Sequence, residues 1–365
     1  MQAEVLKIIE GGLSGDKTKV YNYASALANN LDREGERRFA EKVRSALSGR
    51  KPGLAALDGL SARPVDQESR MDIVDVEYVS DDGADLVLSK FLEDEVNSFV
   101  SLYQNRSILE NRGIQAGSRL LLYGPPGCGK TSIARLVASR TSLPLVTARL
   151  DGLVSSLLGS TAKNIRKVFD FAGRQECVLF LDEFDVVAKR RDDENELGEL
   201  KRVVNSLIQN IDGFAEGSIL IAATNHHELL DPAIWRRFGK SIEVPMPSRR
   251  EVEIYAEKHI FPLMNMRLRP RQMACLEGLS YSTLDTVTKN SLCEAAMRGR
   301  DTFTGFELMR QTYIARRHGI SDENDLIGYM IENGGSQTEI HEGLGTSLRK
   351  IKEVAKAIRE GAPRD

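Results

Sequence analysis

A run of glycines that ends in a lysine and a threonine is the first feature of this sequence that can do chemistry. The run is followed by Ser132 and a helical pattern, and it reads Gly124-Pro125-Pro126-Gly127-Cys128-Gly129-Lys130-Thr131. Glycines let the backbone wrap tightly, so that N–H groups and the next helix N-terminus point at phosphate oxygens. Lys130 would supply a positive charge to the β- and γ-phosphates, and the Thr131 hydroxyl a ligand for Mg²⁺. The pattern predicts a nucleoside triphosphate site that comprises these residues.

Two carboxylates end a second apolar strand, Val178-Leu-Phe-Leu-Asp182-Glu183. We expect Asp182 to hold Mg²⁺, through water, because magnesium keeps most of its hydration shell. Glu183 is the candidate general base for a water in line with the γ-phosphate. The alternative, an acidic cap on a strand, is disfavoured by the phosphate-binding loop upstream. Asp185 is interpreted as a turn residue.

Asn225 follows a third apolar strand, within Ile221-Ala-Ala-Thr224-Asn225. Parallel strands place their carboxyl ends at one edge of the sheet, where ligands bind. We therefore predict that Asn225 lies between Glu183 and the γ-phosphate and orients the attacking water. On its own, Thr-Asn after a strand is typical of a turn.

Two adjacent arginines, Arg236 and Arg237, stand before Phe238. Guanidinium groups stabilise phosphoryl charge in a transition state, and a neighbouring molecule can supply them. The alternative is a pair of surface arginines without a catalytic role.

The elements that must position these residues alternate along the chain. Short apolar strands from about 118 to 245 are separated by helical patterns such as Thr131–Thr141 and Thr161–Ala172, which predicts a parallel sheet covered by helices. Helices are expected before and after it. The predicted domains are an N-terminal helical domain (1–50), a linker (51–84), an α/β nucleotide-binding domain (85–246), a helical domain (247–317) and a short, separate helical unit (321–365).

Composition limits the possible settings. The chain has 365 residues and a net charge of −3, which disfavours whole-chain binding to nucleic acid. Its four cysteines lack the spacing of a disulfide framework or a zinc site, and they suit a reducing, cytoplasmic location. No apolar run reaches the length of a membrane span, and no signal peptide is recognised.

These motifs, in this order, resemble the AAA+ superfamily, specifically the AAA group with a single ATPase module, over about residues 85–310. The resemblance implies a P-loop, doubly wound parallel sheet of five strands with a helical lid, and Mg-ATP bound between subunits of a homo-oligomer, usually a hexamer. By position, Lys130 and Thr131 match Walker A, Asp182 and Glu183 Walker B, and Asn225 sensor 1. Arg236 and Arg237 match arginine fingers that act on the neighbouring subunit.

Three further segments resemble parts of that family. Gly113-Ile114 is similar to its adenine-contacting linker, and Ser280–Asp285 to a lid motif, although no sensor 2 arginine stands there. Leu153–Gly159 matches the first pore loop, where many threading ATPases carry an aromatic residue at the position of Leu157. We expect Leu157 and Leu158 either to grip a substrate chain or to pack inside the domain.

The N-terminal helices and the run Gly198–Asp212 resemble a narrower set of bacterial AAA ATPases. Their genes often lie beside one for a subtilisin-like serine protease, in anti-phage or plasmid-conflict loci. This resemblance implies a protease partner and a role in antiviral defence.

The C-terminal segment has the spacing of a helix-turn-helix. Ile340 and Leu344 face inward, Gly345 makes the turn, Ser347 caps the next helix and Ile351 packs back. That helix exposes a basic face that fits a DNA groove. A small docking unit with solvated lysines is an equally good interpretation.

The sequence thus predicts an ATPase that remodels or regulates a protein partner. Two alternatives stay open. One is a DNA-acting ATPase or regulator that holds DNA through residues 321–365, and the other is a nucleotide-gated scaffold that controls an effector.

Overall fold

The computed structural model describes residues 24, 27, 64, 73–79, 85–113, 117–150, 158–188, 199–215, 217–264, 266–320 and 322–360. The predicted N-terminal helices (apart from residues 24 and 27), most of the predicted linker, Ile114 and the pore-loop residues Leu153–Leu157 lie outside these ranges. Within them, no helix combines the length and the apolar content that crossing a membrane requires.

The chain divides into two compact units. The first unit comprises Met1–Ser80, Thr141–Leu181 and Arg191–Leu220. The second unit comprises Asp81–Arg140, Asp182–Arg190 and Ile221–Asp365, and all the predicted site residues belong to it.

Within the described ranges, six strands form one mixed sheet in the order β1-β3-β4-β5-β2-β6. The strands are β1 (Val74–Glu77), β2 (Arg119–Tyr123), β3 (Leu145–Arg149), β4 (Val178–Asp182), β5 (Ile219–Thr224) and β6 (Lys240–Glu243). β1 pairs antiparallel with β3, opposing Val74 to Ala148, whereas β6 pairs parallel with β2, opposing Leu120 to Lys240.

Two sequence predictions about the sheet are wrong. The sheet has a sixth, antiparallel strand, because Val74–Glu77, inside the predicted linker, pairs with β3. The strand predicted at Leu143–Val146 begins two residues later and continues to Arg149. Pro144 has no N–H to donate to a ladder, which accounts for the late start. Its carbonyl instead accepts from Val178 N–H at 2.9 Å.

Fourteen α-helices lie in the described ranges. They are α1 (Lys90–Gln104), α2 (Arg106–Glu110), α3 (Lys130–Thr141), α4 (Leu158–Ala172), α5 (Asp185–Ala188), α6 (Glu199–Asp212), α7 (Pro232–Trp235), α8 (Arg249–Tyr255), α9 (Pro270–Ala274), α10 (Tyr281–Met297), α11 (Gly305–Arg317), α12 (Glu323–Glu332), α13 (Gln337–Leu344) and α14 (Leu348–Glu360). A π-helical turn, Ala256–Ile260, and a 3₁₀ turn, Phe261–Leu263, continue α8.

The C-terminal helices α12 to α14 share one hydrophobic core with helices α8 to α11, so the prediction of a separate C-terminal unit is wrong. Ile327, Ile340 and Ile351 are fully buried in the cluster that also contains Leu284 and Phe303. Short apolar stretches at helical spacing do not reveal whether they pack on each other or on a neighbouring domain, which explains the error.

Close contact between α13 and α11 secures this packing. A Cβ on Gly343 would fall 2.3 Å from the buried ring of Phe306, so only glycine permits the observed approach. The turn that follows α13 has Gly345 in the left-handed region (φ 72°), and Ser347 Oγ accepts from Lys350 N–H at 3.3 Å. Residues 322–360 are therefore an integral layer of the helical region.

Candidate functional site

The glycine-rich loop connects β2 to the N-terminus of α3. Gly124 has φ 140°, and a Cβ there would lie 2.3 Å from the carbonyl oxygen of Val244. Gly127 and Gly129 also have positive φ, 73° and 101°. These conformations belong to glycine, and they turn the loop so that α3 begins at Lys130. Its first N–H groups have no partner within the helix and are suited to bind an anion.

Lys130 is buried and lies where three elements meet. Its Nζ donates to the carbonyls of Gly124 at 2.7 Å and Pro125 at 2.9 Å, and to Asn225 Oδ1 at 2.7 Å. Burial lowers the pKa of Lys130, while the nearby charge of Asp182 opposes the shift. A phosphate group beside Nζ would oppose it further, because an opposite charge favours the protonated amine.

Asp182 and Thr131 place two hard oxygen ligands side by side. Thr131 Oγ1 donates to Asp182 Oδ2 at 3.4 Å, and both residues line the same cavity. Mg²⁺ prefers oxygen ligands and retains waters and substrate phosphates in its shell, so two protein oxygens are enough. Within the described ranges, no group of three or more His, Cys, Asp or Glu side chains is placed to hold a metal ion. The donor set fits magnesium bound together with a nucleotide.

Glu183 adopts a left-handed backbone conformation, with φ 54°. For a residue other than glycine, this costs about 1–3 kcal/mol, and such strain clusters at functional sites. Its N–H donates to Asp182 Oδ1 at 3.0 Å, and the next N–H, from Phe184, donates to Ala223 O at 2.9 Å. The side chain is exposed and lines the cavity. The loop therefore presents a carboxylate to the space beside Lys130.

These residues surround a cavity of about 580 Å³, within the size range of small-molecule sites. Asp182, Glu183 and Asn225 form part of its wall. The loop and α3 contribute Pro126, Gly127, Gly129, Lys130, Thr131 and Ser132.

The other predicted nucleotide contacts do not line this cavity. The carbonyls of Gly124 and Pro125 accept hydrogen bonds from Lys130 Nζ. Cys128 is buried, and its Sγ lies 3.4 Å from Met246 Sδ. Gly113 is exposed, with φ 73°, and is absent from the cavity wall, while its neighbour Ile114 falls outside the described residues.

Another part of the cavity wall was not predicted from sequence. It includes Asp85–Val87, ahead of α1, together with Tyr255 and His259. His259 Nε2 lies 3.2 Å from the carbonyl oxygen of Asp85, and the rings of Tyr255 and His259 are 4.6 Å apart. Burial, assisted by the charge of Asp285, raises the pKa of Tyr255 to about 12, so its hydroxyl stays protonated.

The lid motif Ser280–Asp285 reaches the phosphate loop directly. The N–H of Ser282 donates to Gly127 O at 3.1 Å, and Tyr281, Ser282 and Asp285 line the cavity. At the next turn of α10, Lys289 pairs with Asp285 at 2.7 Å.

Arg236 and Arg237 follow α7 and do not line the cavity of their own chain. Arg236 is exposed, whereas Arg237 is half-buried and its Nη1 donates to Ala233 O at 2.9 Å. The adjoining Phe238 packs edge-on against Phe184, with ring centroids 5.7 Å apart. Both rings are buried, so the segment that carries the arginines and the loop that carries Glu183 pack against each other through them.

Asp185 has a role that the sequence did not reveal. It is buried rather than a simple turn residue, and its Oδ1 accepts from the hydroxyl of Thr224 at 2.8 Å. The only sequence signal was a second acidic residue after β4, which is common in surface turns.

Comparison with known proteins agrees with this geometry. Residues 120–246 match the family model described as "ATPase family associated with various cellular activities (AAA)". This segment is similar to AAA family ATPase domains. It contains the glycine-rich loop, Asp182, Glu183, Asn225 and the two arginines.

Several known proteins are similar to this chain. The chain is 41% identical over 209 residues to an uncharacterized AAA family ATPase, y4kL, of Sinorhizobium fredii, covering 57% of this chain and 63% of the relative. It is 42% identical over 154 residues to proteasome-activating nucleotidase 1 of Haloferax volcanii, covering 40% and 38%. With the ATP-dependent zinc metalloprotease FtsH of Acidothermus cellulolyticus it shares 29% identity over 297 residues, covering 77% and 43%. The chain therefore spans less than two thirds of the length of these relatives.

Proposed function

We propose that this chain hydrolyses Mg-ATP and uses the energy to remodel a protein partner. The observation that carries the proposal is the convergence of three motifs on one cavity. Lys130 Nζ lies 2.7 Å from Asn225 Oδ1, and Thr131 Oγ1 lies 3.4 Å from Asp182 Oδ2. Three separate chain segments therefore meet where the phosphates of a nucleotide would lie.

Each side chain has a distinct role in this proposal. The loop N–H groups and Lys130 bind the phosphates, and Thr131 and Asp182 hold magnesium, which supplies neutralisation of charge on the transferred group. Glu183 takes a proton from the attacking water, and Asn225 orients that water. Asp85–Val87 and Tyr255 also line the cavity, and in this proposal they contact the nucleoside.

We propose that the active form is a ring, most simply a hexamer. Arg236 and Arg237 do not line their own cavity, and Arg236 is exposed. Such arginines complete a neighbour's site and stabilise the transition state there. The family resemblance supports the same arrangement.

The Glu183→Gln variant tests the hydrolysis step. The amide can still accept a hydrogen bond but cannot take a proton, so turnover should fall by about 10²- to 10⁴-fold. ATP binding, measured with a fluorescent analogue, should change little. The matched control is Glu243→Gln, at an exposed position on β6 outside the cavity. Substantial phosphate release by Glu183→Gln would remove Glu183 as the base.

The proposed partner is a protein. Among the relatives, one is named as proteasome-activating and another as an ATP-dependent protease. We further propose a subtilisin-like serine protease and a role in anti-phage defence, on the basis of the N-terminal and Gly198–Asp212 resemblance. Glu183→Gln chains loaded with ATP should retain the partner in a pull-down, and ADP-loaded chains should release it. If no protein is recovered in an ATP-dependent manner, the result would count against remodelling.

Leu157→Ala separates threading from the scaffold alternative. Loss of biological output with intact ATPase activity supports a pore that grips a substrate. Unchanged output supports a scaffold whose assembly state controls an effector.

The DNA alternative is weakened by ion pairs on α14. Arg349 pairs with Glu353 at 3.0 Å, Lys350 pairs with Glu323, and Lys356 pairs with Glu360 at 3.7 Å. Three of its five basic side chains therefore have a carboxylate beside them, with which a DNA phosphate would compete.

Charge reversal of the other two basic residues, in Lys352→Glu/Arg359→Glu, tests DNA binding without removing helices that share a core with α8 to α11. Stimulation of the ATPase by DNA that this variant abolishes would favour the DNA alternative. Stimulation by protein alone supports remodelling.

A further inference from the structure

A buried hydrogen bond joins the loop that carries Glu183 to the strand that carries Asn225. Thr224 Oγ1 donates to Asp185 Oδ1 at 2.8 Å, across 39 positions of sequence. The residues are 1% and 8% exposed, so water does not compete freely for this bond. Neither residue lines the cavity.

The bond lies two residues beyond the strained backbone of Glu183. A left-handed conformation at a glutamate persists only where its surroundings over-determine it. Before Glu183, Asp182 accepts its N–H, and after it, Phe184 N–H donates to Ala223 O. The contact of Asp185 with Thr224 extends this attachment to β5 by a side-chain bond.

The same hydroxyl also fixes the turn that carries Asn225. Thr224 Oγ1 accepts from the N–H of His226 at 3.0 Å while it donates to Asp185. The hydrogen bond from His226 N–H to Thr224 Oγ1 closes a turn, and Asn225 lies within that turn. A single hydroxyl thus connects the proposed base with the residue that orients the water.

We propose that Thr224 and Asp185 are positioning residues that hold Glu183 and Asn225 in register with each other for hydrolysis. The inference rests on the proposed ATPase function. Small displacements of a catalytic group reduce turnover while leaving the binding of the nucleotide intact.

The Thr224→Val variant tests this, because valine has a similar shape and lacks the hydroxyl. We expect single-turnover hydrolysis to slow by roughly 10- to 100-fold, with ATP affinity within about threefold of the wild type. Thr224→Ser keeps the hydroxyl and should restore most of the rate. Thr312→Val is the matched control, since Thr312 is equally buried and its hydroxyl donates to Leu308 O inside α11. Its rate should stay within about twofold.

Combination with Glu183→Gln distinguishes positioning from a general structural effect. If Thr224 acts through Glu183, adding Thr224→Val to Glu183→Gln should cause little further loss, whereas an additive loss would overturn the proposal. Should Thr224→Val not fold, Asp185→Ala breaks the same bond from the other side and is expected to give the same loss.

Two more outcomes contradict the inference. One is a Thr224→Val rate within about twofold of the wild type, and the other is a Thr224→Ser variant as slow as Thr224→Val. These results leave the proposed function standing, provided that the wild type hydrolyses ATP. A wild-type chain without ATPase activity removes both proposals.

Discussion

Mixing two inactive variants tests whether the arginines complete a neighbour's site. Arg236→Ala/Arg237→Ala chains keep an intact phosphate loop, and Lys130→Ala chains keep both arginines. Loss of a trans-acting arginine reduces phosphoryl transfer by about 10³- to 10⁵-fold, so each variant alone should be almost silent. Because neither arginine lines its own cavity, we expect activity to reappear when the two kinds of chain share a ring.

The size of the recovery follows from this geometry. A competent site needs the intact loop of one variant beside the intact arginines of the other, in one order around the ring. With random assembly the fraction of such interfaces is the product of the two mole fractions. At equal amounts, recovery should therefore reach about one quarter of wild-type activity per chain, whatever the ring size, because every interface in a closed ring is equivalent.

Phosphate release measured across a series of mixing ratios checks this expectation, with two affinity tags to confirm co-assembly. The matched control mixes Lys130→Ala with Glu183→Gln. Both defects then lie on the side of the site that carries the loop, so no ratio should restore activity. Absence of recovery in co-assembled arginine and lysine variants would refute catalysis across an interface, as would equal recovery in the control.

Two further predictions concern packing and thiol chemistry. Gly343→Ala should destabilise the helical region by about 1–3 kcal/mol, since its Cβ would overlap the Phe306 ring. Adding Phe306→Leu should make the combined loss of stability, measured by thermal melting, smaller than the sum of the losses from the two single changes. Among the four cysteines, all in the described part of the chain, Cys293 alone is exposed, and it should react rapidly with a disulfide reagent at mildly alkaline pH. The buried cysteines should react slowly, because burial raises the pKa of Cys177 to about 12 and that of Cys275 to about 11. Rapid modification of Cys293→Ser protein would contradict this expectation.

The position of Lys130, Asp182 and Asn225 on one cavity could be predicted from sequence because its signals are local. A glycine run before a helix, and polar residues directly after apolar strands, encode both the conformation and the position of Lys130, Asp182 and Asn225. The order of the strands then brings their ends together.

The remaining features depend on contacts between distant segments. The wall formed by Asp85–Val87 acquires its role only when His259 approaches it, and Val74–Glu77 becomes a strand only through pairing with β3. Likewise, Gly343 resembles any glycine near a helix end until Phe306 lies against it. No window of sequence contains both partners of such contacts.

The edge-to-face pair of Phe184 and Phe238 has a consequence for how a ring would work. Such pairs contribute about 0.5–1.5 kcal/mol beyond their buried area, and they favour a defined relative orientation. A change in the backbone beside Glu183 would therefore shift the ring of Phe238 and the position of the arginines that immediately precede it. If those arginines serve the adjacent subunit, a change at one site would influence the site of the neighbour on one side only.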